Sequence, residues 1–228
     1  MNQDPFGGRS VIQFASEQDR RAFLKYAALV GVGGTLAAAL PISNVLADTS
    51  PSPSGSPSPS ASPAGTTQFG PGDVGILNFA LTLEYLEAEF YQKALAANIL
   101  ADDAKYVTPV AAHEAAHVAA ITATLNKLGA TPATKPTFVF PDGTFTDKAT
   151  FLKTAVTFEE TGVKAYHGQV TLIKDPGILA AAASIAGVES RHAAVLNYLA
   201  QTPPVPNPVE QHATADEILT AIKPFLGA

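Results

Sequence analysis

The chain partly repeats itself. Sliding it by 75 residues lays Glu84 on Glu159, Tyr91 on Tyr166, Glu114 on Glu189 and His117 on His192. Apolar neighbours follow the same offset, Leu81 with Val156, Leu83 with Phe158 and Ile121 with Leu196. Each half therefore carries one glutamate and, 30 residues later, a Glu-x-x-His string: Glu114-Ala-Ala-His117 and Glu189-Ser-Arg-His192. Residues three apart lie on one face of a helix, so each string presents a carboxylate beside an imidazole. Glu84 shares its face with Leu77, Leu81, Ala88 and Tyr91, and Glu159 shares one with Val156, Val163 and Tyr166. Such stripes belong inside a bundle of helices.

Four carboxylates gathered in an apolar interior cannot all stay ionised without compensation. Two divalent cations balance them charge for charge, and two neutral imidazoles complete the donor set. Oxygen and nitrogen donors without sulfur suit iron or manganese. The candidate metal ligands are Glu84, Glu114, His117, Glu159, Glu189 and His192.

Helix punctuation supports the same architecture. Asp73 is placed to cap a first helix running to about Asn98, and Thr108-Pro109 to open a second that Gly129 ends. Thr146 opens a third helix reaching about Ile173, and Asp175-Pro176 a fourth ending near Ala200. A capping box, Thr214-Ala-Asp-Glu217, starts a short last helix ending near Leu226. The longer connection between the second and third helices contains Thr137-Phe-Val-Phe140 and a Pro-Asp-Gly turn, which reads either as a small hairpin or as an irregular crossover. The expected fold is all-α, an antiparallel four-helix bundle over residues 72–228 with one long crossover and a short C-terminal helix.

What precedes the bundle reads differently. Residues 48–71 are rich in alternating Pro and Ser and read as an extended, disordered spacer. Residues 1–47 read as an export signal. Arg20-Arg21 with Phe23, Leu24 and Lys25 resembles the twin-arginine motif, with Asp19 where Ser or Thr is usual. The stretch Ala27 to Leu40 is apolar but rich in Gly and Ala, and Val45-Leu46-Ala47 offers a cleavage site. The competing reading is a retained anchor, since 22 uncharged residues from Tyr26 to Ala47 are long enough to span a bilayer. Three glycines and Pro41 favour the cleaved signal. The expectation is export to the periplasm or cell envelope, with no stable membrane span after cleavage.

Composition excludes several classes of function. The chain has 20 acidic against 14 basic residues, a net charge of −6 and no basic stripe, which argues against nucleic acid as a partner. Cysteine is absent, which removes disulfides, thiolate zinc sites, iron–sulfur clusters and a thiol nucleophile.

The two Glu-x-x-His strings, each paired with an earlier glutamate, resemble the ferritin-like superfamily of di-iron or di-manganese carboxylate bundles, which hold their metals in the bundle core on this motif. The string LNFALTLEYLEAEFY and the span 72–228 resemble, more closely, exported ferritin-like domain proteins of the desiccation-related type. That resemblance implies that Glu84 and Glu159 are terminal ligands, that Glu114 and Glu189 bridge two iron ions (or two manganese ions), and that His117 and His192 each cap one. It also implies that Tyr91 and Tyr166 support the ligands by hydrogen bonding. The Glu-to-Glu spacing of 30 is a few residues shorter than in typical ferritins.

Other polar residues read as background. Glu87 is expected at a solvated rim, with a swing into the site as the alternative. Glu89 and Glu160 read as surface charge, His113 and His167 as surface or interface residues, Arg191 as exposed, and His212 as a residue without a partner. The favoured function is reaction with oxygen or peroxide under oxidative or desiccation stress, in the manner of an oxidase, a peroxidase or a manganese catalase. A metal-stabilised envelope protein without catalysis is the alternative, iron storage is disfavoured, and homodimerisation is left open.

Overall fold

A computed structural model describes residues 64–227. The expected signal and most of the spacer lie outside the described residues. The end of the expected spacer is folded: Ala64–Phe69 forms a 3-10 turn, and the Phe69 ring packs 6.0 Å from that of Phe79.

Four long helices follow: α1 (Gly72–Ala96), α2 (Ala104–Lys127), α3 (Lys148–Val170) and α4 (Pro176–Leu199), with a short α5 (Ala215–Ile222). α1 packs along α2 and α3 along α4, while α1 also meets α3 and α2 meets α4. The hydroxyl of Tyr91 on α1 donates to Glu159 on α3, and that of Tyr166 on α3 donates to Glu84 on α1. Such crossed pairing requires α1 and α3 to run antiparallel, so the sequence repeat is an approximate two-fold in space. The fold is the expected all-α helical bundle, with no strand among the described residues.

Most helix ends obey the sequence signals. Asp175 accepts from the amides of Gly177 and Ile178 at the start of α4, with Pro176 in first position. Thr214 and Glu217 form the reciprocal capping box of α5. Gly129 takes the left-handed φ of 70° that closes α2.

Three starts differ. Asp73 does not cap α1; its carboxylate accepts from the amides of Lys174 and Asp175, tying the start of α1 to the α3–α4 loop. α2 begins at Ala104, ahead of Thr108, because Leu100 and Val107 are fully buried anchors that extend the helix backward. Pro109 sits in the second turn, where its missing N–H forfeits the intrahelical bond to the Lys105 carbonyl. Asp147, not Thr146, caps α3, its carboxylate accepting from the Thr150 amide at 2.8 Å.

The α2–α3 connection is an irregular crossover, not a hairpin. It is pinned to the C-terminus: Val139 N–H donates to Phe225 at 2.9 Å, Gly227 N–H donates to Thr137 at 2.8 Å, and Phe138 bridges Leu226.

Two apolar layers fill the bundle. One end is aromatic, with Phe90 against Phe151 and Phe158 at 4.9 Å each, joined by Phe140 and Phe145. The other is aliphatic, built on Ile76, Leu77, Leu81, Ile121, Leu125 and Ile178. Along each helix the candidate ligands fall between these layers.

Candidate metal centre

The helices bring all six candidate ligands together. α1 supplies Glu84, α2 Glu114 and His117, α3 Glu159, and α4 Glu189 and His192. The four glutamates are completely buried, and His117 and His192 nearly so. Two clusters have ligand atoms all within 4.8 Å of one another. One is Glu84, Glu114, His117 and Glu189; the other is Glu114, Glu159, Glu189 and His192. Each could hold a metal ion, and the two share Glu114 and Glu189.

The imidazoles face inward through Nδ1. His117 Nδ1 lies 3.2 Å from Glu84, 3.3 Å from Glu114 and 3.1 Å from Glu189. His192 Nδ1 lies 2.8 Å from Glu114 and 3.5 Å from Glu159. The 2.8 Å approach lacks hydrogen-bond alignment, so His192 Nδ1 counts among the buried polar atoms without a hydrogen bond. Glu114 Oε1, Glu159 Oε2 and both oxygens of Glu189 join it. Buried donors and acceptors are ordinarily satisfied. Five orphaned atoms converging from three helices is what a donor set for a cation requires, and the residues present fit metal ions.

The electrostatics point the same way. Burial drives the carboxyls of Glu84 and Glu159 upward, and that of Glu189 up to about 8. Glu114 is the exception. Burial works against its charge, but the imidazoles of His117 and His192 beside it outweigh that and lower the carboxyl to about 2. Burial opposes charge on the imidazoles too, yet their carboxylate partners raise His117 to about 12 and His192 to about 10. Without metal, protons do part of the work of cations here.

Tyr91 and Tyr166 hold Glu159 and Glu84 respectively, each tyrosine reaching across to the opposite half of the repeat. Both are buried, which raises their hydroxyl pKa values well above the ordinary range and keeps them donors.

Glu87 is a correction: it is 3% exposed, not at a solvated rim. Its carboxylate reaches over Gly162 of α3, where an added Cβ would stand 3.1 Å from Glu87 Oε1 and 3.3 Å from Glu189 Oε2. Ile222 of α5 and Phe158 help line the small void beside it. A helix read as one-sided is in fact sheathed, since α5 covers the face on which Glu87 would have met water. The signal was present in the repeat, because Glu87 falls on Gly162 at the same offset of 75.

His113 is exposed as expected, yet its Nδ1 lies 2.9 Å from Nε2 of His192. Its repeat counterpart is Val188, so only one of the two candidate histidines has such a partner. Glu89 pairs with Lys93 and Lys135, and Glu160 accepts from Asn197; neither reaches the centre. His167 Nδ1–H donates to the Val163 carbonyl, and Arg191 and His212 are exposed.

No curated protein matches the sequence. The ferritin-like domain family matches residues 72–202, the span that holds α1 to α4 and every residue of the centre. The chain belongs to the ferritin-like domain family.

Proposed function

We propose that the protein is an exported dinuclear iron protein, with manganese as the alternative metal, that reacts with oxygen or peroxide. The observation that carries this reading is the pair of four-residue clusters sharing Glu114 and Glu189. Two shared carboxylates between two donor sets are the arrangement that holds two cations side by side. Glu84, His117 and the shared pair would hold one ion, and Glu159, His192 and the shared pair the other. When bound, a pair of redox-active ions supplies two electrons to an oxidant.

The chain's own residues do the rest. Four carboxylates offset two divalent charges, which leaves Glu87 as a fifth acid. In the metal-free protein burial first, and the surrounding carboxylates second, push the pKa of Glu87 well up, which makes it a buried acid beside the centre. Tyr91 and Tyr166 fix the orientation of Glu159 and Glu84. With Nδ1 of His192 committed to the centre, its Nε2–H donates to His113 Nδ1, which locks the ring. The two apolar layers exclude water from both ends. Export rests on the twin-arginine resemblance, and no helix among the described residues is long and apolar enough to cross a membrane.

The test is spectroscopic. Protein loaded anaerobically with ferrous iron is expected to take up two ions per chain and to develop ferric charge-transfer absorption on exposure to air or peroxide. Protein that binds metal but stays silent toward both is a metal-stabilised envelope protein instead.

A further inference from the structure

The repeat is not symmetric at its two ends, and the difference leaves a hole. At the aromatic end the space between the helices is filled by Phe151, Phe158 and Phe90, among others. Their counterparts at an offset of 75 are Ile76, Leu83 and Ala165, each smaller. These line a cavity of about 60 Å³ at the opposite end of the bundle. Its size lies between the ~10–15 Å³ that one water needs and the ~150 Å³ that admits benzene.

The cavity adjoins the centre. Tyr166 lines it while donating its hydroxyl to Glu84, and Ile121, one turn beyond His117, lines it too. Its outer side lies between α2 and α4, where Ala120 and Ala182 line it in place of the valines, Val195 and Val107, found at the other end. Ala120 is exposed and Ala182 half-buried. Small side chains therefore leave a way in from the surface.

Its walls choose the chemistry. Apart from Tyr166, the polar side chains lining it are Thr124, which donates to the Ala120 carbonyl, and Gln169. Gln169 is 4% exposed, and its Oε1 is buried without a hydrogen-bond partner. Water needs two to four polar partners to occupy a buried site, and hydrogen peroxide carries two donors as well as two acceptors. With three polar side chains in an otherwise apolar lining the cavity favours an apolar guest, and molecular oxygen requires no hydrogen-bond partner.

We propose that this cavity binds molecular oxygen and admits it to the centre between Ala120 and Ala182. The inference rests on the oxidation chemistry proposed above and narrows the oxidant to oxygen at this end of the bundle.

Xenon, which enters dry apolar cavities, is the probe. In the full chain, xenon-pressurised crystals or 129Xe NMR should show one site bounded by Ile76, Leu83 and Ala165. Ala182→Phe should abolish that site and slow air oxidation of the ferrous-loaded protein by on the order of tenfold, because the close-packed interior around it passes gas poorly. Peroxide oxidation of the same variant should keep its rate. Ala120→Leu at the exposed rim provides a second, milder blockade should Ala182→Phe fail to fold. Absence of xenon from the wild-type cavity overturns the proposal whatever the metal does. Loss of xenon with unchanged air oxidation overturns the route while leaving the oxidation reading intact. Ferrous protein inert to both oxidants removes the oxidation reading and the delivery of oxygen with it, and xenon occupancy then still tells that failure from a missing cavity.

Discussion

The carboxylate of Glu87 fills the space that a side chain at Gly162 would need. The two residues occupy equivalent places in the repeat, so one half gave up a side chain to accommodate an acid from the other. Gly162→Ala sets two effects against each other. Alanine in a helix interior gains up to about 1 kcal/mol over glycine. Its Cβ, at 3.1 Å and 3.3 Å from the Glu87 and Glu189 oxygens, displaces both carboxylates by a few tenths of an ångström. The expected outcome is a metal-free protein as stable as the parent or slightly more so, with metal affinity reduced by about tenfold, ~1.4 kcal/mol. Thermal unfolding with chelator, alongside a metal titration, measures the two effects separately. A tighter metal complex would contradict this geometry.

Glu114 and Glu189 are the residues common to both clusters. Glu114→Ala or Glu189→Ala should therefore abolish two-metal binding outright, where Glu84→Ala removes a ligand from one cluster only. Glu89→Ala should leave stoichiometry untouched, since Glu89 is partly exposed and paired with Lys93 and Lys135. Its cost in stability should stay within the roughly 1 kcal/mol of surface ion pairs. Elemental analysis by mass spectrometry of the four variants decides the matter.

The repeat made the interior legible because helix periodicity converts a spacing of three into a shared face. Glu114, His117, Glu189 and His192 needed nothing else. Asp175-Pro176 and the Thr214–Glu217 box were legible because capping is local chemistry. For Glu87 the repeat offered only its match with Gly162, because the cover that buries it is α5, which arrives from more than a hundred residues away in sequence. The start of α2 was obscured for a related reason: Leu100 and Val107 extend the helix through tertiary burial, against the local signal of Thr108-Pro109. Asp73 shows the same effect, having found partners in a distant loop in place of its own helix.

The metal-free protein should lose stability as pH rises. Burial above all lifts Glu189 to about 8 from 4.5, so across that window the folded state holds a proton that the unfolded chain releases. His192 and His117, raised to about 10 and about 12 from 6.5, act in the same direction. Their contribution is fully present below the unfolded value and is lost as pH climbs through the folded ones. Metal binding needs these groups deprotonated, so its stabilisation should grow with pH. Melting curves with chelator and with manganese or ferrous iron should diverge from about pH 5 to about pH 8. Parallel curves would show that the cluster does not exchange protons for metal.

Gly168 tests whether α5 is a structural cover. A Cβ at Gly168 would lie 1.9 Å from the carbonyl oxygen of Ala213, in the segment leading into α5. That segment is tied to α3 by the Ala213 amide, which donates to the Lys164 carbonyl at 3.1 Å. Backbone cannot swing aside as a carboxylate can, so Gly168→Ala must lift the segment away. Ile218 and Ile222, each 2% exposed, would then lose part of their packing. Overpacking of this kind costs about 1–3 kcal/mol. Thermal unfolding should register that loss, and hydrogen exchange should quicken over residues 213–225 while α2 and α4 stay protected. Because Ile222 borders the void beside Glu87, the same variant should let water reach that carboxyl. Exchange left unchanged in α5 would mean that the close approach at Gly168 is not what seats it.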